Sequence, residues 1–507
     1  MNKSLFIKLV STSFLVNSLA QPAAAQSGTM SAPSEASTAA QIEALQKQVQ
    51  LLQAQLDSLK QQMPKAIPTW RGAAQLSDPE GWSFKARGRI HYDTGYIAVP
   101  GDYQATRNLG FSSRMRRVRL GAEGSIPGGF GYKVEGEFAN ASVGFGDVLL
   151  SWTPKNKAMQ VRLGNFETLN GLDQISSSNA ITFLERAQMN DAFLNARRLG
   201  AAVALIGKDD HYRVEGGLFT AHSIDNSFDN DGWIGAARAV YAPKIGDGRL
   251  HLGLSYQHRQ FQSNNGASTS VSVNAPSTNQ LARYRARPFL QTTDIRFVDT
   301  GNFAATGDDI LGIEAAAIFP RIYFASEAQW AKTRTYRPGD TLANLDAFPV
   351  ASQVTPNEDP GFFGGYAEIG YFLTGETRGY KDNIWARTRV LSPLSKGGAG
   401  AWQIAARVDY LDLSSKSLLN APTNNFSTGS ASLASDASRL ARGGKQTGIL
   451  FGVNWYPMDY ARIMLNYIHV NVEGGPLATA VKPTGVLPIH QRKYSTDAIA
   501  VRTQLDF

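Results

Sequence analysis

From about Trp82 to Phe507, apolar and polar residues alternate one by one in stretches of roughly ten residues, the length a tilted strand needs to cross a bilayer. Phe84, Ala86, Ile90 and Tyr92 take turns with Lys85, Arg87, Arg89, His91 and Asp93. Tyr132, Val134 and Phe138 do so with Lys133, Glu135 and Glu137, and Leu250, Leu252, Leu254 and Tyr256 with Arg249, His251, Ser255 and Gln257. Further on, Trp402, Ile404, Ala406, Val408 and Tyr410 alternate with Gln403, Arg407 and Asp409. The last stretch sets Ile499, Val501, Thr503, Leu505 and Phe507 against Ala500, Arg502, Gln504 and Asp506. Period two belongs to the β-strand, whose successive side chains point to opposite faces.

A soluble sandwich would bury its apolar faces in a common core. Here the polar face carries charges along whole strands, and aromatic residues recur near strand ends (Trp152, Trp233, Trp330, Trp455, Tyr456). That combination marks a lipid-facing band with aromatic girdles. Short connections such as Pro127–Gly129, Pro154–Lys157, Gly207–Asp210, Pro243–Gly248 and Pro457–Asp459 read as periplasmic turns. Long polar ones (Glu167–Asn195, Gln262–Asp308, Thr333–Pro360, Ser414–Lys445, Glu473–Gln491) read as extracellular loops. A first count reaches seventeen strands, whereas bacterial single-chain barrels have even numbers. Residues 375–400 are the weakest candidate and are read as a long periplasmic connection. The expectation is an all-β fold: a 16-stranded antiparallel transmembrane β-barrel over residues 82–507.

The N-terminal part follows other rules. Residues 1–25 read as a secretory signal peptide: Lys3 and Lys8 form the basic start, Leu9–Leu19 the apolar stretch and Ala23–Ala25 the small-residue cleavage site. Residues 26–40 are a Ser/Ala/Thr-rich linker and 64–81 a second linker. Between them, over 41–63, Ile42, Leu45, Val49, Leu52, Leu56, Leu59 and Met63 recur in steps of three and four, a strict heptad. This predicts a short coiled-coil helix, with a helix lying on the barrel as the alternative. Ile and Val at a with Leu at every d favour two-stranded association.

Composition narrows the class. The 507 residues contain no cysteine, which removes disulfides and thiolate chemistry. No apolar run approaches the ~20 residues of a spanning helix. Charged residues are 18 %, below the roughly 25 % of soluble domains. Losing Lys3 and Lys8 with the leader takes the formal charge from +8 to +6, a basic balance suited to anionic solutes or lipid.

The sequence holds no His-Glu-x-x-His, Gly-x-Ser-x-Gly or phosphate-cradling Gly-rich loop, so no enzyme, cofactor or metal is expected. The stretch Asp229–Gly232 faintly resembles a calcium loop, but Arg238 stands where its bidentate Glu belongs.

The basic residues are more informative. Arg114, Arg116, Arg117 and Arg119 crowd one strand, Arg186 follows Glu185 in a long loop, and Arg283, Arg285 and Arg287 alternate within the longest loop. An extended backbone points those last three the same way. By parity Lys85, Arg87 and Arg89 line the lumen. The guanidinium group is a planar fork that stays charged and donates paired hydrogen bonds to oxyanions.

Several stretches resemble the phosphate-selective porin O and P family: Arg116–Gly121, Leu163–Phe166, Ser177–Arg186, Val298–Gly301, Tyr371–Glu376, Gly400–Trp402 with Ala406-Arg407, and Asn454–Tyr456. They run in the family's order from about Trp82 to Phe507. The resemblance implies an outer-membrane, sixteen-stranded trimeric barrel whose inward loops and basic rows form an anion path. By position it places Arg116, Arg117 and Arg186 at the constriction and Arg283, Arg285 and Arg287 in an extracellular ladder. Phe289 after Arg287-Pro288 departs from the family, which often has an acidic residue there.

The expected function is a passive anion-selective pore, for phosphate or related oxyanions. Its expected partners are small inorganic anions, outer-membrane lipid and copies of itself, with no nucleic acid. The competing reading is a tethering or adhesion protein whose barrel only anchors the coiled coil.

Overall fold

The computed structural model describes residues 35–62, 67–70, 72–101, 109–139, 143–193, 196–221, 224, 232–261, 281–335, 353–425, 430–433, 435–481 and 487–507. The signal peptide expected over 1–25, Met63 and Asp229–Asp231 lie outside these residues.

The chain divides into two units, residues 1–65 and 66–507. The first contains helix α1 (Glu35–Gln62), which begins inside the stretch read as linker. Its heptad residues Ile42, Leu45, Val49, Leu52 and Leu56 are all exposed.

In the second unit, sixteen antiparallel strands close on themselves. They are β1 (Ser83–Ile97), β2 (Gly110–Ile126), β3 (Phe130–Glu137), β4 (Gly144–Trp152), β5 (Met159–Glu167), β6 (Arg197–Ile206), β7 (Tyr212–Thr220) and β8 (Gly232–Tyr241). There follow β9 (Gly248–Phe261), β10 (Gly307–Ile318), β11 (Ile322–Arg334), β12 (Gly361–Phe372), β13 (Ala401–Asp412), β14 (Lys445–Met458), β15 (Ala461–Glu473) and β16 (Lys493–Asp506). Each strand pairs with its neighbour in sequence, and β16 pairs with β1 from Ala498↔Ile97 to Asp506↔Arg89, so no edge is left open.

Alternation places the side chains. Along β16, Thr496, Ala498, Ala500, Arg502, Gln504 and Asp506 are buried, whereas Ile499 and Leu505 are exposed on the outer wall. Aromatic belts sit at both ends of that wall: Trp330, Phe363 and Tyr410 form a chain with ring centroids 5.2 and 6.2 Å apart, and Trp402 stacks on Trp455 at the opposite end. Tyr456, counted above with the girdle, instead points inward and donates to Gln403 Oε1 at 2.9 Å, because it has the parity opposite to Trp455. The turn between β2 and β3 needs Gly129: its φ is 89° and a Cβ there would meet the Thr153 carbonyl oxygen at 2.2 Å.

Two further segments differ from simple connections. Within the stretch read as the second linker, Ile67–Trp70 and Ala74–Ser77 form a small hairpin whose second strand pairs with β1, Gln75 opposite Lys85. The connection between β12 and β13, residues 373–400, folds into the barrel. Its hairpin (Tyr380–Lys381 with Ile384–Trp385) buries Trp385, which donates its backbone N–H to Ser176 Oγ at 3.0 Å. The loop after β5, described over residues 168–193, and the described part of the loop before β10, residues 281–306, also lie inside. Phe183, Phe193, Phe289, Phe297 and Phe303 are thus fully buried within the barrel, each contributing roughly 1.5–3 kcal/mol of burial.

Candidate functional site

The inward loop 168–193 cannot satisfy its own backbone, and the barrel wall does so for it. Glu327 Oε1 accepts the Asp173 N–H at 2.7 Å, Asn466 Oδ1 accepts that of Leu184 at 2.9 Å, and Asp409 accepts that of Gln188 at 3.1 Å. Arg462 donates to the Ile181 carbonyl at 2.7 Å, and Asn454 to that of Thr182 at 2.9 Å. These partners come from β11, β13, β14 and β15, so the loop hangs from one side of the barrel and presents Glu185 and Arg186 toward β2.

On β2 the chain breaks its own alternation. His91 of β1 stands opposite Arg117, but the next residue, Tyr92, stands opposite Met115. Arg116 is therefore the extra residue of a β-bulge. Strict period two would send Arg114 and Arg116 to one face and Arg117 and Arg119 to the other. The bulge changes phase between them, and all four reach the lumen. Arg114 donates to the Gln291 carbonyl of an inward loop at 3.0 Å. Arg116 grips Glu185, Arg117 reaches His91 Nδ1 at 3.4 Å, and Arg119 pairs with Glu135 at 2.7 Å and Glu137 at 2.5 Å.

The three residues expected at a constriction are thus gathered, but in different electrostatic states. Arg116 is neutralised by a two-pronged pair with Glu185, which also accepts from Arg502 Nη2 at 2.9 Å. Arg117 is buried and has no carboxylate at ion-pair distance among the described residues. Arg186 donates to two carbonyls, Asp173 O and Ser176 O, both at 2.7 Å, and likewise has no carboxylate partner there. Arg186 also borders two cavities. One, of about 100 Å³, is shared with Arg116, Glu185 and Arg287, and the other is a chamber of about 1070 Å³ that includes Arg117.

That chamber is lined by twelve basic and six acidic side chains. Arg87 and Arg89 lie on it, Arg87 paired with Glu123 and Arg89 with Glu135 at 3.0 Å. Lys85 lies at a smaller cavity of about 550 Å³, with Glu123 and Lys133. Of the loop arginines, Arg283 and Arg285 are exposed while Ala282, Tyr284 and Ala286 between and beside them are buried, and Arg287 is half-buried. Yet Arg283 is held by Asp299 at 2.6 and 2.9 Å, and Arg287 lies between Asp191 and Asp294 at 3.6 and 3.3 Å. Exposed Arg285 has no such pair among the described residues.

Sequence reading passed over four further chamber arginines: Arg162, Arg197, Arg213 and Arg238. Their parity was legible, since Arg238 stands between Ala237 and Ala239. Their state was not, because most of the partners come from other strands: Arg162 binds Glu215, Arg197 binds Asp147 and Glu167, and Arg238 binds Glu314 at 2.7 and 2.9 Å, whereas Arg213 binds Glu215 two residues along its own strand.

Residues 84–507 match the family described as phosphate-selective porin O and P. A protein of Caulobacter vibrioides is 32 % identical, over 88 % of this chain and 78 % of its own length. Porin O of Pseudomonas aeruginosa is 23 % identical, over 80 % of this chain and 87 % of its own. Among solved structures, the anion-selective porin from Comamonas acidovorans aligns with 84 % of this chain and 100 % of its own at 12 % identity and a TM-score of 0.43.

Proposed function

The chain belongs to the phosphate-selective porin O and P family, and from that premise we propose that this outer-membrane porin channel passes small anions by preference, phosphate among them, along a relay of arginines. The observation that carries the reading is the pair Arg117 and Arg186. Both border the chamber, and neither has a carboxylate within ion-pair distance among the described residues. A cation meets their uncompensated charge as a barrier, whereas an anion meets it as attraction.

An oxyanion in the passage sheds part of its water, and guanidinium forks replace those hydrogen bonds. Arg285 and Arg287 stand on the extracellular side, Arg186 borders the chamber and the cavity shared with Arg116, Arg117 and Arg89 follow in the chamber, and Lys85 stands at the smaller cavity beyond. Several modest sites in series let an ion leave as readily as it arrives, so transport runs down its gradient without energy input. The family description supports phosphate as the preferred ion.

The test is the reversal potential of the reconstituted protein in a salt gradient, with phosphate added against the chloride current. Anion selectivity and competitive block by phosphate support the proposal. A cation-selective or unselective current unaffected by phosphate defeats it.

The exposed heptad face of α1 supports a companion proposal: helices from separate copies associate in the periplasm, the barrels form trimers, and the leader, residues 1–25, is removed.

A further inference from the structure

A second basic cavity lies apart from the chamber, between the inward segment 373–400 and strands β14–β16. Arg378, Arg387, Arg462, Asp459, Asp506 and Gln504 are among its lining residues. Its volume is about 10 Å³, room for one water-sized particle.

Arg378 belongs to the inward segment and Arg462 to the wall strand β15, and both are buried, at 4 % and 2 % exposure. Arg462 donates Nη1 to the Ile181 carbonyl at 2.7 Å and Nη2 to Gln504 Oε1 at 2.9 Å. Arg378 donates to the Ala180 carbonyl, and its guanidinium carbon lies 5.1 and 4.9 Å from the ring centroids of Tyr323 and Trp385. In both residues the Nε–H group is buried with no partner.

The acids nearby are already occupied. Asp506 pairs with Arg387, and Asp459 Oδ1 accepts the Val390 N–H at 2.8 Å. Three arginines thus stand against two aspartates around the cavity, leaving one positive charge over. Unpaired buried charge and unmade buried hydrogen bonds are both strongly unfavourable.

We propose that this cavity binds a monatomic anion, chloride in ordinary media, between Arg378 and Arg462. Such an ion accepts both orphan Nε–H groups and supplies the missing charge. A water molecule could accept the hydrogen bonds but leaves the charge standing. A tetrahedral oxyanion is too large for a space of one water. The bound halide ties the inward segment to the wall and so helps keep that segment inside the barrel. This site does not depend on which ion the lumen prefers, because its lining shares no residue with the chamber.

The decisive experiment is anomalous diffraction from crystals of the full chain in bromide, at the bromine edge. A peak within hydrogen-bond reach of both Nε atoms is the expected result. Its absence there, with water density or none, overturns the proposal. Thermal unfolding in detergent gives a second reading as gluconate is exchanged for chloride at constant ionic strength. The wild-type midpoint rises with chloride, because a ligand of the folded state alone stabilises it by mass action, while R462Q and R378Q unfold independently of chloride. A wild-type midpoint equal in both salts overturns the proposal. Should either variant fail to fold, the bromide crystals of the wild type still decide.

Discussion

Arg116 meets Glu185 through two parallel hydrogen bonds, Nε to Oε1 at 2.7 Å and Nη2 to Oε2 at 3.0 Å. The bulged residue of the wall is thereby tied to the inward loop, while Arg117, its neighbour in sequence, keeps its charge. Two adjacent arginines therefore differ in their partners: one is paired with the loop's carboxylate, and the other lines the chamber with no carboxylate at ion-pair distance among the described residues.

This division predicts unequal effects in the pore. Arg117→Gln and Arg186→Gln should each lower the anion-over-cation permeability ratio by about fivefold, since one charge ~4 Å away in watery surroundings contributes about 1 kcal/mol. Arg116→Gln removes a charge already cancelled by Glu185, so its reversal potential should stay near wild type while current noise increases. Reversal potentials across planar bilayers check this, and equal shifts in all three variants would contradict it.

Changing the partner should act in the opposite sense. Glu185→Gln deletes the acid shared by Arg116 and Arg502 and leaves Arg116 without its carboxylate, while Arg502 keeps Asp93. The channel should become more anion-selective than wild type and also noisier, because the loop loses its charged clamp. A fall in anion selectivity in Glu185→Gln would show that the carboxylate acts some other way.

On the extracellular side, Asp299 holds Arg283. Asp299→Asn should free that arginine and raise the anion current at low salt, whereas Arg285→Gln should reduce it. Both effects should fade as ionic strength rises, because long-range attraction is screened over ~10 Å at 0.1 M. Conductance measured over a series of salt concentrations tests the pair.

Stability should depend on the buried pairs of the wall. Glu314→Gln strips Arg238, 2 % exposed, of its close carboxylate partner, leaving Glu215 at 3.9 Å. Breaking such a buried pair from one side costs roughly 3–5 kcal/mol. The temperature at which the folded, fast-migrating band disappears on heating should fall clearly below that of the wild type.

For α1, Asp at Leu45, Leu52 and Leu59 should abolish cross-linking between cysteines introduced along the helix and leave barrel folding intact. Cross-links that persist in this variant would remove the heptad as their cause.

The barrel was legible in the chain alone because its cause is local. Alternation of Ile499, Val501 and Leu505 with Arg502 and Gln504 depends only on a strand having two faces, one against lipid and one against water. The even strand rule then demoted residues 375–400, and the sixteen-strand closure bears that out. Parity also placed Arg87 and Arg89 on the lumen side. Three things needed the tertiary structure. The bulge at Arg116 is a mismatch between two strands, so no single strand records it, and it alone brings Arg114, Arg116, Arg117 and Arg119 to one face. Residues 373–400 fold inward because Trp385 and Arg378 find partners on distant elements, Ser176, Ala180 and Tyr323. Which arginine keeps an uncompensated charge depends on acids far along the chain, such as Glu185 for Arg116 and Asp299 for Arg283. Charge compensation is a property of distance in space, and sequence order carries that distance only within one strand or turn.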